Sequence, residues 1–124
     1  MNAIETQNAP AAIGPYSQAI VVNGLVYTSG QIPLNPKTGV IEAEKIEAQT
    51  EQAIANIGEI LKAAGSDFSK VIKTTCFLKN IADFSAFNAI YEKYFIGKPA
   101  RSCVEVSALP KNALVEIEVI AVSN

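Results

Sequence analysis

Residues 19–29 read Ala19-Ile20-Val21-Val22-Asn23-Gly24-Leu25-Val26-Tyr27-Thr28-Ser29. Two runs rich in β-branched and aromatic residues, 19–22 and 25–29, are separated only by Asn23-Gly24. Because Asn and Gly both tolerate a positive φ, this pair between two such runs predicts a tight β-hairpin. Two antiparallel strands are therefore expected here.

The segments on either side of this hairpin are expected to be irregular. Residues 8–18 contain two prolines and a glycine and predict a lead-in without regular structure. After the hairpin, Gly30-Gln31-Ile32-Pro33 ends the second strand, and Asn35-Pro36-Lys37-Thr38-Gly39 predicts another turn.

From about Ile46 the apolar residues recur at steps of three and four. The stripe consists of Ile46, Thr50, Ala53, Ile54, Ile57, Leu61 and Ala64. This spacing predicts a helix with one face in the core. Gly65 is expected to end the helix, because glycine readily adopts the left-handed conformation found at helix C-termini.

The rest of the chain predicts one more helix and three strands. Residues 71–79 are rich in strand-forming types, and Asp83 is the expected cap of a helix whose stripe holds Phe84, Phe87, Ile90, Tyr91 and Tyr94. Two strands, 102–109 and 114–122, flank a turn at Pro110-Lys111-Asn112. The order β-β-α-β-α-β-β over residues 1–124 predicts a single α+β domain, with both helices on one face of the sheet.

The last predicted strand has two different faces. One is aliphatic and consists of Val115, Ile117, Val119 and Ala121; the other mixes aliphatic and acidic residues and consists of Leu114, Glu116, Glu118, Ile120 and Val122. A face that meets only solvent is more often polar throughout. We therefore expect the first face to pack against the helices and the second to meet a neighbouring subunit or line a pocket.

The composition narrows the class of protein. A chain of 124 residues with 49% hydrophobic and 18% charged residues is typical of a globular protein. The net charge of −2, without a cluster of Lys and Arg, argues against a nucleic-acid partner. No signal peptide or membrane-spanning run is evident. Two widely separated cysteines favour reduced thiols in the cytoplasm, and Cys76, which alternates with Ile72, Thr74 and Leu78, is expected in the core.

The chain contains no histidine. This excludes Ser-His-Asp triads, Cys-His dyads and histidine zinc sites. Proton transfer near neutral pH is left to a carboxylate, cysteine, tyrosine, lysine or water. We expect no metal and no other cofactor.

Four stretches together resemble one known family. They are Gly14-Pro15-Tyr16-Ser17-Gln18, Thr28-Ser29-Gly30-Gln31-Ile32-Pro33, Pro99-Ala100-Arg101-Ser102-Cys103-Val104-Glu105-Val106 and Val115-Glu116-Ile117-Glu118. In this order and spacing they resemble the RidA family, the reactive intermediate deaminases that act on enamines and imines. The resemblance implies a chorismate-mutase-like α+β fold. It also implies a homotrimer whose sheets form a central barrel, with clefts between neighbouring subunits.

The resemblance further implies a substrate site in each cleft. Arg101 would grip a substrate carboxylate, and the same cleft would be lined by Tyr16, Ser29, Gly30, Asn88, Cys103 and Glu116. Glu116 would position a water and relay a proton, and Tyr16 would donate a proton or orient the substrate. The segment Phe95-Ile96-Gly97-Lys98 looks shorter than in some relatives, which affects the rim of the cleft rather than Arg101.

The implied activity is that of a 2-iminobutanoate/2-iminopropanoate deaminase. Such an enzyme hydrolyses 2-aminoacrylate and its four-carbon homologue to 2-keto acids and ammonia. Arg101 suits this substrate because a planar guanidinium pairs bidentately with a carboxylate.

Several alternatives stay open at this level. Cys103 as a nucleophile would need a thiolate, whereas as a wall residue it would contribute only bulk and backbone. Each candidate site residue also has a structural alternative, which is surface pairing, a strand end, a cap or a subunit contact. These residues are Arg101, Tyr16, Ser29, Gly30, Asn88 and Glu116. Glu118 is assigned a structural role. Two other functions are a non-catalytic 2-keto-acid-binding or sensor module and an endoribonuclease or translation inhibitor.

Overall fold

A computed structural model describes residues 1–123. Its strands are β1 (Asn2–Ile4), β2 (Ala19–Val22), β3 (Leu25–Thr28), β4 (Val71–Leu78), β5 (Ala100–Glu105) and β6 (Val115–Val122), and its α-helices are α1 (Ile46–Ala63) and α2 (Phe84–Tyr94). Single turns of 3₁₀-helix span Phe68–Lys70, Ile81–Asp83 and Pro110–Asn112. The predicted α+β class is confirmed.

The strands form one mixed sheet in the order β1-β2-β3-β6-β4-β5. Only the pairing of β4 with β5 is parallel within the described part of the chain. Strand β1, which pairs Asn2 with Val21, is an addition to the predicted order. Its three residues are too few to show a strand periodicity in the sequence.

The predicted hairpin between β2 and β3 is confirmed. Val22 pairs with Leu25, and Asn23 and Gly24 have φ angles of 52° and 75°. Two successive positive φ angles are those of a type I′ turn, whose twist matches that of the strands it joins. The hairpin places residues 29–31 directly beside β6, where the Gln31 and Ile117 backbones exchange hydrogen bonds.

Helix α1 buries the whole predicted stripe, from Ile46 to Ala64. Gly65, at φ 75°, ends it as predicted. The Gly65 N–H donates to the Lys62 carbonyl at 3.1 Å and the Ser66 N–H to the Leu61 carbonyl at 2.8 Å. This is the Schellman arrangement, which satisfies carbonyls that the end of a helix leaves without partners.

The prediction that the Asp83 side chain caps α2 is wrong. Asp83 precedes the helix, but its side chain makes no capping hydrogen bond. The chain enters α2 through a 3₁₀ turn, and Asp83 already has helical φ and ψ, whereas a capping residue is normally extended. The Asn80 side chain caps that turn instead, accepting from the Ala82 N–H at 2.9 Å.

Strand β5 begins and ends earlier than predicted. It runs from Ala100 to Glu105 rather than over 102–109, because it pairs in parallel with β4 from Lys73–Ala100 to Leu78–Glu105 and β4 ends there. Arg101 therefore lies within a strand. The remaining predicted strands differ from the observed ones by at most one residue at an end.

The aliphatic face of β6 is buried as predicted, whereas the subunit contact expected for its mixed face stays a prediction. Val115, Ile117, Val119 and Ala121 are buried, whereas Glu116 and Ile120 are half-buried and Glu118 and Val122 are exposed. Cys76 is in the core as predicted, but Ile72 is not on its face. A register shift between Val71 and Lys73 breaks the alternation there and turns Ile72 outward.

Within residues 1–123, no helix has the length and apolar character needed to cross a membrane.

Candidate active site

Arg101 lies on the face of the sheet that the helices cover. Its partner in the register is Thr74, which is fully buried. The Arg101 Nη1 donates to the Asn88 Oδ1 at 2.7 Å, so α2 holds one side of the guanidinium. Arg101 is the only arginine of the chain.

Two aromatic rings hold the Arg101 guanidinium. Its Cζ lies 4.7 Å from the centre of the Tyr91 ring and 5.3 Å from that of Phe84. Cation–π contacts at such distances contribute about 0.5–2 kcal/mol and fix the plane of the guanidinium. The Tyr91 hydroxyl shares a buried hydrogen bond with the Thr74 hydroxyl at 2.8 Å, which anchors this ring to the sheet.

The sequence predicts Phe84 and Tyr91 only as members of a core-facing helix stripe, and their contact with Arg101 is an addition from the structure. The sequence does contain a signal for this contact, because Phe84, Asn88 and Tyr91 follow one another at steps of four and three along α2. A polar residue between two aromatic ones on one stripe indicates that this part of the stripe faces a polar group. A cavity of about 340 Å³ lies beside them, lined in part by Asn88, Tyr91, Lys98 and Arg101.

Cys103 is half-buried on the same face and is in register with Cys76. Burial raises the pKa of the Cys103 thiol, and the Arg101 charge offsets this only in part. Burial also raises the pKa of Cys76, to about 12. A nucleophilic cysteine needs the opposite shift, so the environment of Cys103 favours its interpretation as a wall residue.

Glu116 lies on the other face of the sheet, with Phe77 as its partner in the register. Burial raises the pKa of its carboxyl group, and the charge of Glu118 raises it further. It lines a cavity of about 370 Å³ together with Tyr16, Gly30 and Lys111. Of the predicted site residues, Glu116, Tyr16 and Gly30 are thus brought together.

Ser29 is next to this group but its hydroxyl is already engaged. The Ser29 Oγ donates to the Ser17 carbonyl at 2.5 Å, and the Ser29 N–H donates to the Gln18 carbonyl at 2.8 Å. Ser29 therefore ties the lead-in segment, and with it Tyr16, to the end of β3. Its predicted role as a direct ligand stays a prediction.

Lys111 was not among the predicted site residues. It has a left-handed backbone, with φ 55° and ψ 26°, and Asn112 follows with φ 60°. The Lys79 Nζ holds this turn by donating to the Asn112 Oδ1 at 2.7 Å. Neighbouring non-glycine residues with positive φ are uncommon, and Pro110-Lys111-Asn112 gave no sequence signal beyond a turn.

One chain does not bring the two groups of residues together. Paired residues on neighbouring strands point to the same face, so Arg101 shares a face with Thr74, and Glu116 shares the opposite face with Phe77. Thr74 and Phe77 are three residues apart on β4 and point in opposite directions. Arg101, Asn88 and Cys103 thus form one group of candidate site residues, named the Arg101 half-site, and Glu116, Tyr16 and Gly30 form a second group, named the Glu116 half-site.

Helices covering one face of a mixed sheet, with cavities beside a guanidinium and a carboxylate, are typical of a small-molecule-binding protein of the α+β class. A family model described as Endoribonuclease L-PSP matches residues 6–123, and the chain belongs to this family.

The relatives include proteins of different names. A Lactococcus lactis protein named as a regulator, AldR, is 66% identical over 122 residues, which are 98% of this chain and 97% of that protein. A 2-iminobutanoate/2-iminopropanoate deaminase of Salmonella typhimurium is 50% identical over 123 residues, 96% of this chain and 95% of the enzyme. The predicted membership of the RidA family and the predicted enzyme class, a deaminase, are confirmed.

Solved structures show the same fold. The crystal structure of E. coli TdcF with bound serine matches with a TM-score of 0.94 at 42% identity, covering 100% of both chains. The agreement over the whole length confirms the arrangement of two helices on one face of the sheet.

Proposed function

We propose that this chain is a 2-iminobutanoate/2-iminopropanoate deaminase. It hydrolyses enamine and imine intermediates, 2-aminoacrylate and its four-carbon homologue among them, to 2-keto acids and ammonia. The observation that carries the proposal is the Arg101 half-site, where Asn88 and two aromatic rings orient a lone guanidinium beside a cavity. The name of the Salmonella enzyme supports the substrate class.

The substrate carboxylate binds to Arg101. Asn88 occupies one Nη of the guanidinium, and the remaining N–H groups form a fork for two carboxylate oxygens. TdcF supports this ligand chemistry, since its crystal structure contains serine, which has a carboxylate and an amino group on one carbon. Cys103, on the same strand, walls the site.

The complete site lies between subunits of a homotrimer. Arg101 and Glu116 are on opposite faces of one sheet, so a small substrate reaches both only where two chains meet. The uncovered face of the sheet supports such an assembly, because it exposes Tyr27 and Val104, at 42% and 45%, around the half-buried Glu116. Apolar side chains gathered on one face are typical of a subunit interface.

Glu116 handles the proton in this scheme. Its carboxylate accepts a proton from a water as the water oxygen bonds to the imine carbon, and the carbon–nitrogen π bond breaks toward nitrogen. The proton then passes to the nitrogen, giving a carbinolamine. The carboxylate next takes the hydroxyl proton of this intermediate and passes it to the nitrogen, so that the carbon–nitrogen bond breaks, ammonia leaves and the carbonyl forms. The raised pKa of Glu116 suits both steps, because a group with a pKa nearer to neutral accepts and returns a proton more readily. Tyr16, at the same cavity, orients the imine.

One family model matches residues 6–123, which supports a single domain. Two widely separated cysteines favour reduced thiols and so support a cytoplasmic location. The family takes its description from an endoribonuclease. This chain lacks the histidines of most ribonuclease acid–base pairs and has a net charge of −2, so we do not propose RNA as its substrate.

The proposal is tested by measuring ammonia and keto acid released from freshly generated 2-aminoacrylate. We expect the wild-type chain to accelerate release over buffer and Glu116→Gln to be slower by about 10²–10⁴-fold, the usual contribution of a general acid–base. Glu47→Gln, an exposed carboxylate in the first turn of α1, is the matched control and should retain full activity. Tight 2-oxobutanoate binding without acceleration would indicate a binding or regulatory module instead.

The pH dependence identifies the proton carrier. Glu118 raises the pKa of Glu116, so Glu118→Gln removes this repulsion and lowers that pKa. If the Glu116 carboxylate is the base, activity is lost on acidification through its pKa, and the acid limb of kcat/KM therefore moves to lower pH in the variant. Glu44→Gln, another exposed carboxylate, should leave the limb in place. An unmoved limb in Glu118→Gln would assign the titration to another group.

A further inference from the structure

The Glu116 carboxylate occupies space that a side chain at position 30 would fill. A Cβ atom built on Gly30 would lie 2.1 Å from the Glu116 Oε2, 2.8 Å from its Cδ and 3.1 Å from its Cγ. Cβ contacts below 3.0 Å are essentially never found in proteins. The observed position of the carboxylate therefore requires a residue without a Cβ at position 30.

The requirement at Gly30 is steric rather than conformational. Its φ lies outside the left-handed region, unlike those of Gly14, Gly24, Gly39 and Gly65. The atoms that a Cβ would meet most closely all belong to the flexible Glu116 side chain, and none to the backbone. Alanine at position 30 is thus compatible with the backbone but displaces the carboxylate.

Backbone hydrogen bonds hold Gly30 against β6. The Gln31 N–H donates to the Ile117 carbonyl at 2.8 Å, and the Ile117 N–H donates to the Gln31 carbonyl at 3.1 Å. These bonds join the residues that directly follow Gly30 and Glu116. Because both backbones are fixed, a Cβ at position 30 moves the Glu116 side chain rather than the strand.

We propose that Gly30 is a positioning residue, whose missing side chain provides the space that fixes where the Glu116 carboxylate lies. The other charged or titratable groups at this place are Glu118 on the same strand, and Tyr16 and Lys111 at the cavity. The proposal rests on the proposed function, because the consequence for the reaction depends on the role of Glu116. In this proposal Gly30 affects the reaction by fixing the position of Glu116, in addition to lining the cleft with its backbone.

Gly30→Ala should lower kcat by about 10–10²-fold, the effect expected when a catalytic group is displaced by about 1 Å. KM should change by less than about threefold, since the Arg101 half-site is untouched. Gly39→Ala is the control: its Cβ would meet nothing within 4 Å, and its φ of 73° disfavours alanine, so this variant also tests whether a modest loss of stability alone affects kcat. This control should keep wild-type kcat.

A second substitution separates positioning from a general structural role. Glutamine at position 116 has no carboxylate to displace, so Gly30→Ala should cost less than about threefold in a Glu116→Gln background. An equal penalty in both backgrounds, or wild-type kcat in Gly30→Ala, would overturn the proposal.

A carboxyl ¹³C titration tests the position of Glu116 without reference to turnover. The Glu116 resonance and its pKa should change in Gly30→Ala and stay unchanged in Gly39→Ala. No change in Gly30→Ala would refute the positioning role even in an active enzyme. A change in a chain that releases no ammonia would support the role of Gly30 while rejecting the proposed function.

Discussion

Arg101→Ala should lower kcat/KM for 2-aminoacrylate hydrolysis by about 10²–10⁴-fold. Each hydrogen bond to a charged group contributes about 1.5–3 kcal/mol, and a bidentate carboxylate loses two of them. Since 1.4 kcal/mol corresponds to a factor of ten, the loss covers this range. The chain has no second arginine that could replace Arg101. Steady-state kinetics on the purified variant gives the value.

Two further variants test why the loss occurs. Arg101→Lys keeps the charge but not the planar fork, so it should recover only part of the activity. Lys93→Ala, which removes an exposed cation from the last turn of α2, should leave kcat/KM unchanged. A similar loss in Lys93→Ala would mean that net charge, rather than a carboxylate contact, determines the rate. Wild-type activity in Arg101→Ala would remove Arg101 from the site.

Local patterns predicted most of the fold because each depended on neighbouring residues. Asn23-Gly24 specified a turn through its φ angles, and the stripe of α1 specified a buried face through its spacing. Asp83 shows where local patterns fail. A capping residue is normally extended, but the 3₁₀ turn before α2 gives Asp83 a helical backbone. The limits of β5 depended on where β4 ends, which is information from a segment 22 residues or more away in sequence.

The site residues could be named from motifs, but their arrangement could not. Which face Arg101 occupies depends on its register with β4, and the face of Glu116 depends on the register of β6 with the same strand. Neither register is present in the motifs themselves. The contact of Tyr91 with Arg101 likewise depends on how α2 lies over β5. The space beside Gly30 that the Glu116 carboxylate occupies depends on a β-bridge between Gln31 and Ile117, which are far apart in sequence.

The opposite faces of Arg101 and Glu116 predict that two inactive variants restore activity when they assemble together. Arg101→Ala contributes an intact Glu116 half-site, and Glu116→Gln contributes an intact Arg101 half-site. In the cyclic trimer that we propose, each cleft takes one half-site from each of two neighbouring chains. Any mixed trimer then has one cleft with both intact halves, so it should show about one third of the wild-type activity per trimer.

Co-expression with two different affinity tags and sequential purification isolates the mixed trimers for this measurement. The matched control pairs Arg101→Ala with the Arg101→Ala/Glu116→Gln double variant, which assembles in the same way but has no intact Arg101 half-site and should stay inactive. If all catalytic groups instead came from one chain, every cleft of the mixed trimer would lack one of them and no activity would return. Activity that returns in the mixed trimer but not in the control therefore indicates a site shared between chains. Substitutions that merely destabilise each subunit would not restore activity when the two variants are combined.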